Sequence, residues 1–135
     1  MESLKINPTS GTPLINFNVD TGIFELSGVS RPEDVMDFYR PVMAWLEELE
    51  RNVLTKTGVG CELEKIMLVF KLDYFNSASS KFILKITKVL SNLRDAGKNL
   101  SVSWHYEAGD EQMREDGEYI SEAADMEFEF LEESE

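Results

Sequence analysis

Leu68-Val69-Phe70-Lys71-Leu72-Asp73-Tyr74-Phe75-Asn76-Ser77-Ala78-Ser79-Ser80-Lys81-Phe82-Ile83 reads as a buried strand that runs through a hydroxyl-rich turn into an amphipathic helix. Just upstream, Leu63 and the run Ile66-Met67-Leu68-Val69-Phe70 predict a central strand over 63–72, apolar on both alternating sides and so covered on both faces. Downstream, Phe82, Ile83, Ile86, Val89, Leu90 and Leu93 recur at helical spacing, which predicts a helix over 78–95. Lys81, Lys85 and Lys88 fall together on its other side, and Gly97 stands where such a helix stops. At the junction the first backbone N–H groups of the helix have no intrahelical partner. A serine there either caps the helix or accepts a phosphate.

Working outward, Leu14-Ile15-Asn16-Phe17-Asn18 and Ile23-Phe24-Glu25-Leu26-Ser27-Gly28 read as two strands joined through Asp20-Thr21-Gly22, a hairpin. Ser30 as cap, Pro32, Glu33 and Asp34 mark a helix start, followed by Val35, Phe38, Val42, Trp45, Leu46 and Leu49 at helical spacing. Pro41 should kink or split that helix, because its ring removes one hydrogen bond. Residues 52–60 read as a loop. Leu100, Val102, Trp104 and Tyr106 alternate with Ser101, Ser103 and His105 as a further strand. Residues 110–124 form an acidic helix with a thin apolar face at Met113, Ile120 and Ala124, interrupted by Gly117. Met126, Phe128 and Phe130 close the chain as a strand. The order ββαβαβαβ predicts a single α/β domain over 1–135, a mixed sheet of about five strands with helices, preceded by a loose lead-in over 1–12.

The 135 residues suit one domain, and 42% hydrophobic content is enough for a core. No apolar run approaches the ~20 residues of a membrane span, and the start lacks the basic-then-apolar pattern of a secretory signal. Cys61 is the single cysteine, expected as a buried inert thiol ahead of an apolar run. These features point to a cytoplasmic protein. Net charge is −13, and it is concentrated: residues 1–106 carry 13 acidic and 12 basic side chains, whereas 107–135 carry 13 acidic groups and only Arg114. The acidic C-terminal helix and strand argue against nucleic-acid binding. They read as a solvated face, or as an adaptor surface for a basic partner.

Enzyme signatures are sparse. His105 is the one histidine, and a small-ligand or catalytic pocket near it is the alternative to a surface imidazole. No metal-ligand spacing surrounds it, and Gly58-Val59-Gly60 is too short for a phosphate loop and precedes a strand. No cofactor and no metal are expected. The junction is richer. Asn76 or Ser77 can cap the helix, for about 1 kcal/mol. A phosphoryl group on Ser77 would bring a charge of about −1.5 to −2, favoured by the helix N-terminus and within reach of Lys81.

The junction Tyr74-Phe75-Asn76-Ser77-Ala78-Ser79-Ser80-Lys81 resembles that of the SiaC family of bacterial regulatory phosphoproteins. There a strand ends in Tyr-Leu/Phe-Asn-Thr/Ser-Ser-Ser-x-Lys. Thr12-Pro13, the Gly-x-Phe-Glu-Leu-Ser-Gly stretch at 22–28, Pro32-Glu33, Trp45-Leu46 and Ser-x-x-Trp-x-Tyr at 101–106 extend the likeness over nearly the whole chain. Ala78 stands where the family has a hydroxyl. The resemblance implies a STAS-like domain, similar to anti-sigma-factor antagonists, acting as a non-enzymatic partner switch. It implies phosphorylation at Ser77, with Ser79 as the fallback, by a Ser/Thr kinase, and reversal by a metal-dependent Ser/Thr phosphatase. The unmodified form would bind and activate a diguanylate cyclase, promoting cyclic-di-GMP synthesis and biofilm formation. The implied contact surface comprises Tyr74, Phe75, Asn76, Ser79, Ser80, Lys81 and Lys85.

Overall fold

The computed structural model describes residues 2–134. Six strands form one sheet in chain order: β1 (Leu4–Ile6), β2 (Leu14–Phe17), β3 (Ile23–Ser30), β4 (Lys65–Phe75), β5 (Asn99–Glu107) and β6 (Glu129–Glu133). The first three are antiparallel neighbours, and β3 to β6 run parallel. Each parallel step is bridged by a helix: α1 (Val35–Thr55), α2 (Ser77–Asp95) and α3 (Glu111–Ala123). Parallel crossovers are right-handed, and here they all step in the same direction, so the three helices gather on one face. That face supplies the core. Ile66, Leu68, Phe70 and Leu72 of β4 and Leu100, Val102 and Trp104 of β5 point into it, beside Phe17 and Phe24. Trp45 of α1 closes over the last two, with ring centroids 5.6 and 5.5 Å away.

The sequence expectations need several corrections. β4 is central and has helices on one face only; on the helix-free side Val69 is buried, but Met67 is 39% exposed. The sheet has six strands because Leu4–Ile6, expected in a loose lead-in, pairs with β2. Trp45 Nε1–H donates to the Glu2 carbonyl at 2.6 Å and holds this segment down. Ser30 does not cap α1. It ends β3, and Asp34 is the cap, its carboxylate accepting from the Asp37 N–H at 3.0 Å. Pro41 lies inside a continuous α1. Its ring is exposed, so the carbonyl it strands faces water, while Tyr39, Val42, Trp45, Leu46 and Leu49 secure the buried stripe. Cys61 is half-buried rather than buried.

Gly117 has a packing reason. A Cβ built there would fall 2.5–2.6 Å from three indole atoms of Trp104. The bare backbone lets α3 lie directly on that ring, and Trp104 Nε1–H donates to the Met113 carbonyl at 3.0 Å.

Candidate functional site

The end of β4 changes phase before it reaches the junction. Gly28 pairs with Leu72 but Val29 pairs with Tyr74, so Asp73 is an extra residue on β4. Such a bulge re-aims the side chains that follow it. Tyr74 turns to the helix-free face, 50% exposed, and Phe75 turns inward, its ring edge-on to Trp104 at 6.0 Å.

Asn76 then caps α2. Its Oδ1 accepts from the Ser79 N–H at 2.8 Å, its carbonyl accepts from the Ser80 N–H at 3.0 Å, and its own N–H donates to the Ser30 carbonyl at 3.1 Å. Replacing Asn76 with alanine is expected to cost about 1 kcal/mol in urea unfolding, the usual value of a lost cap; an unchanged midpoint would show that the cap contributes nothing.

The junction hydroxyls have separate fates. Ser79 is fully buried. Its Oγ donates to the Ser30 carbonyl at 3.0 Å and accepts from Ser30 Oγ at 2.8 Å. Because Ser30 has given its one proton to Ser79, the Tyr39 hydroxyl is the donor in the 2.7 Å contact with Ser30 Oγ. The relay Tyr39 to Ser30 to Ser79 thus ties α1, the end of β3 and the first turn of α2. Ser79, expected as the fallback acceptor and as a contact residue, is thus interior with its hydroxyl engaged. Ser80 is half-buried and donates from Oγ to the Ser77 carbonyl at 2.7 Å. Ser77, the first residue of α2, is exposed, and among the described residues its Oγ makes no hydrogen bond.

Burial pushes the Tyr39 phenol up to about 12, outweighing the opposing influence of the neighbouring Ser30 and Ser79 hydroxyls. The folded state thus holds this proton more tightly than the unfolded chain, whose tyrosine ionises near 10. Its contribution is full below pH 10 and is lost as pH rises from 10 to 12. Wild type should therefore lose stability over that window, on the order of 2–3 kcal/mol, more steeply than Tyr39→Phe. Parallel alkaline unfolding curves would contradict this.

Ser77 opens into a cleft of about 260 Å³ that Phe75, Asn76 and Ser80 line from one side and Asp116, Tyr119 and Ile120 of α3 from the other. Tyr119 is 67% exposed. Lys81 lies one turn along α2, and the Lys85 ammonium sits 4.9 Å from the Phe82 ring centroid. Of the residues expected at the site, Phe75, Asn76, Ser77 and Ser80 meet in this cleft. Lys81 and Lys85 extend away along α2, and Tyr74 is on the other side of the sheet. Sequence reading missed Asp116 and Tyr119, brought in by the β5–α3 crossover, and the buried partners Ser30 and Tyr39.

His105 lies on the helix-free face, where its Nδ1 meets Glu133 Oε1 at 2.5 Å and pins β6 to β5. The depression there, about 210 Å³, is lined by Lys71, Leu72, Asp73, Tyr106 and Glu107 beside this pair. Among the described residues, no group of three or more His, Cys, Asp or Glu could hold a metal ion. None of their helices is long and apolar enough to cross a membrane.

Comparison with known proteins places the whole chain in a family. The profile of the SiaC family regulatory phosphoprotein matches residues 6–133. The chain belongs to the SiaC family. An uncharacterised protein of Pseudomonas aeruginosa strain UCBPP-PA14 is 27% identical over 128 residues, 95% of this chain and 94% of that protein. Among solved structures, SiaC of Pseudomonas aeruginosa superposes with a TM-score of 0.78 at 24% identity, covering 100% of both chains, which shows the shared fold. SiaC in crystal complex with the diguanylate cyclase SiaD, of which it is the activator, matches at a TM-score of 0.78 and 26% identity, over 98% of this chain and 99% of the other. Membership of this family makes the chain a regulatory phosphoprotein.

Proposed function

We propose that this family member is a cytoplasmic, non-enzymatic partner switch whose phosphoacceptor is Ser77. The observation that carries the reading is the contrast among the junction hydroxyls: Ser79 is buried and engaged, Ser80 is tied to the turn, and Ser77 Oγ is exposed and unengaged. A Ser/Thr kinase adds the phosphate and a metal-dependent Ser/Thr phosphatase removes it. The unmodified form binds and activates a diguanylate cyclase, raising cyclic-di-GMP and favouring biofilm growth. Support for that target is the SiaD complex of the relative.

The physical basis is the environment of the hydroxyl. Unmodified, Ser77 is a small neutral group beside Phe75 and Tyr119, a surface that can be covered by a partner. Phosphorylated, it becomes a dianion that any partner covering it must strip of water. The test is cyclase activation, measured as cyclic-di-GMP formed with the cognate enzyme. Ser77→Ala should activate as well as wild type, and Ser77→Asp should activate less. Equal activation by both variants would contradict the switch.

A further inference from the structure

Asp116 stands on the α3 wall of the cleft into which Ser77 opens. It is half-buried, whereas Glu111, Glu115, Glu118 and Glu122 of the same helix are exposed. Gln112 Nε2–H donates to its Oδ1 at 2.8 Å from one turn earlier and orients the carboxylate. No cation lines the cleft among the described residues. Arg114, the one base of α3, is committed elsewhere. Its Nε–H donates to Glu118 at 3.0 Å, its Nη1–H donates to the Tyr106 hydroxyl at 2.6 Å, and its guanidinium lies 5.2 Å from the Phe130 ring centroid. A negative group entering the cleft from Ser77 therefore faces Asp116 with no positive side chain on either wall.

The helix that carries Asp116 is the least fastened of the three. Met113, Gly117 and Ile120 are the buried residues among its 13, against seven among the 19 of α2. Five carboxylates and one arginine leave α3 at −4. It sits on Trp104, whose Nε1–H donates to the Met113 carbonyl at 3.0 Å. The indole thus reports on the seating of α3. The other tryptophan, Trp45, packs on Phe17 and Phe24 toward the opposite edge of the sheet, its Nε1–H on the Glu2 carbonyl, and serves as an internal control.

We propose that Asp116 is the residue through which the protein itself registers a phosphate on Ser77: repulsion across the cleft loosens α3 from Trp104 while the sheet, α1 and α2 keep their places. The inference rests on the reading of Ser77 as the acceptor. The phosphate brings a charge of about −1.5 to −2. Both groups line one cleft of about 260 Å³, a space on the scale of the ~8 Å screening length at physiological ionic strength. Half-burial of Asp116 strengthens the repulsion relative to bulk water. A helix with a thin apolar face opens locally at less cost than the core beneath it, so the response is confined to α3. The two forms of the protein then differ on the acidic C-terminal segment and not only at the acceptor.

The test is hydrogen exchange followed by 15N NMR on the full chain, with serine or genetically encoded phosphoserine at position 77, each with and without Asp116→Asn. Asparagine keeps the shape of the side chain and an Oδ1 acceptor for Gln112. Phosphoserine should speed exchange of the Trp104 indole N–H and of the α3 amides about tenfold and leave the Trp45 indole unchanged. Asp116→Asn should remove most of that acceleration, and so should 1 M salt, where the screening length falls to ~3 Å. No change at Trp104, equal acceleration at both indoles, or acceleration undiminished in Asp116→Asn would overturn the proposal. A full response at Trp104 in a phosphoserine protein that still activates the cyclase as well as wild type supports the role of Asp116 and counts against the switch, so the two readings fail separately.

Discussion

Gly117→Ala is expected to lower stability by about 2–3 kcal/mol, although alanine is the better helix former by about 1 kcal/mol. The added methyl would stand 2.5–2.6 Å from the Trp104 indole. The indole cannot retreat: it is fully buried, with Phe70 at 5.1 Å, Phe75 at 6.0 Å and Phe128 at 6.0 Å, ring centre to ring centre. α3 must lift instead. That strains the bond from Trp104 Nε1 to the Met113 carbonyl and uncovers Met113 and Ile120, the thin apolar face of the helix. Urea unfolding reads the loss directly, and a smaller side chain at 104 should relieve part of it. A variant as stable as wild type would mean that α3 does not pack as described.

The second large effect is on binding. Phosphoserine placed at position 77 by genetic encoding is expected to leave the fold intact and to weaken the target complex about 100-fold, near 2.7 kcal/mol. In the free protein the dianion is tolerated. The N–H groups of Ser77 and Ala78 precede the first intrahelical bond, the helix dipole favours negative charge there, and Lys81 is one turn away. In the proposed complex the same dianion would lose water in a cleft whose opposite wall carries Asp116. Calorimetric titration against the proposed cyclase target should show the weakening, with a melting temperature within a few degrees of wild type. Loss of fold with retained affinity would reverse the account.

Much of this was legible in the sequence because the signals were local. The passage from the apolar run of β4 through Asn76 to the stripe of α2 spans few residues, and each position speaks for its own element. The β2–β3 hairpin and the alternation of β5 were readable for the same reason. β1 was not, since three residues, Leu-Lys-Ile, carry no period, and they are held by β2 and by Trp45 from far along the chain. Ser30 resembled a helix cap, but the partner of its hydroxyl is Ser79, 49 residues away. The burial of Ser79 had a signal that went unused: it lies four and seven residues before Ile83 and Ile86, on the buried phase of α2. The one-faced helix cover of β4 follows from crossover handedness rather than from composition, which is why Met67 misled. Asp116 and Tyr119 reach the cleft only through the β5–α3 crossover, and no residue near the junction announces them.

The measurement closest to the central claim is intact mass and site mapping after reaction with the cognate Ser/Thr kinase, on wild type, Ser77→Ala and Ser79→Ala. The account expects one phosphate on Ser77, absent in Ser77→Ala and retained in any Ser79→Ala protein that folds. Phosphate on Ser79 or Ser80 of the folded wild type, or incorporation unaffected by Ser77→Ala, would contradict it.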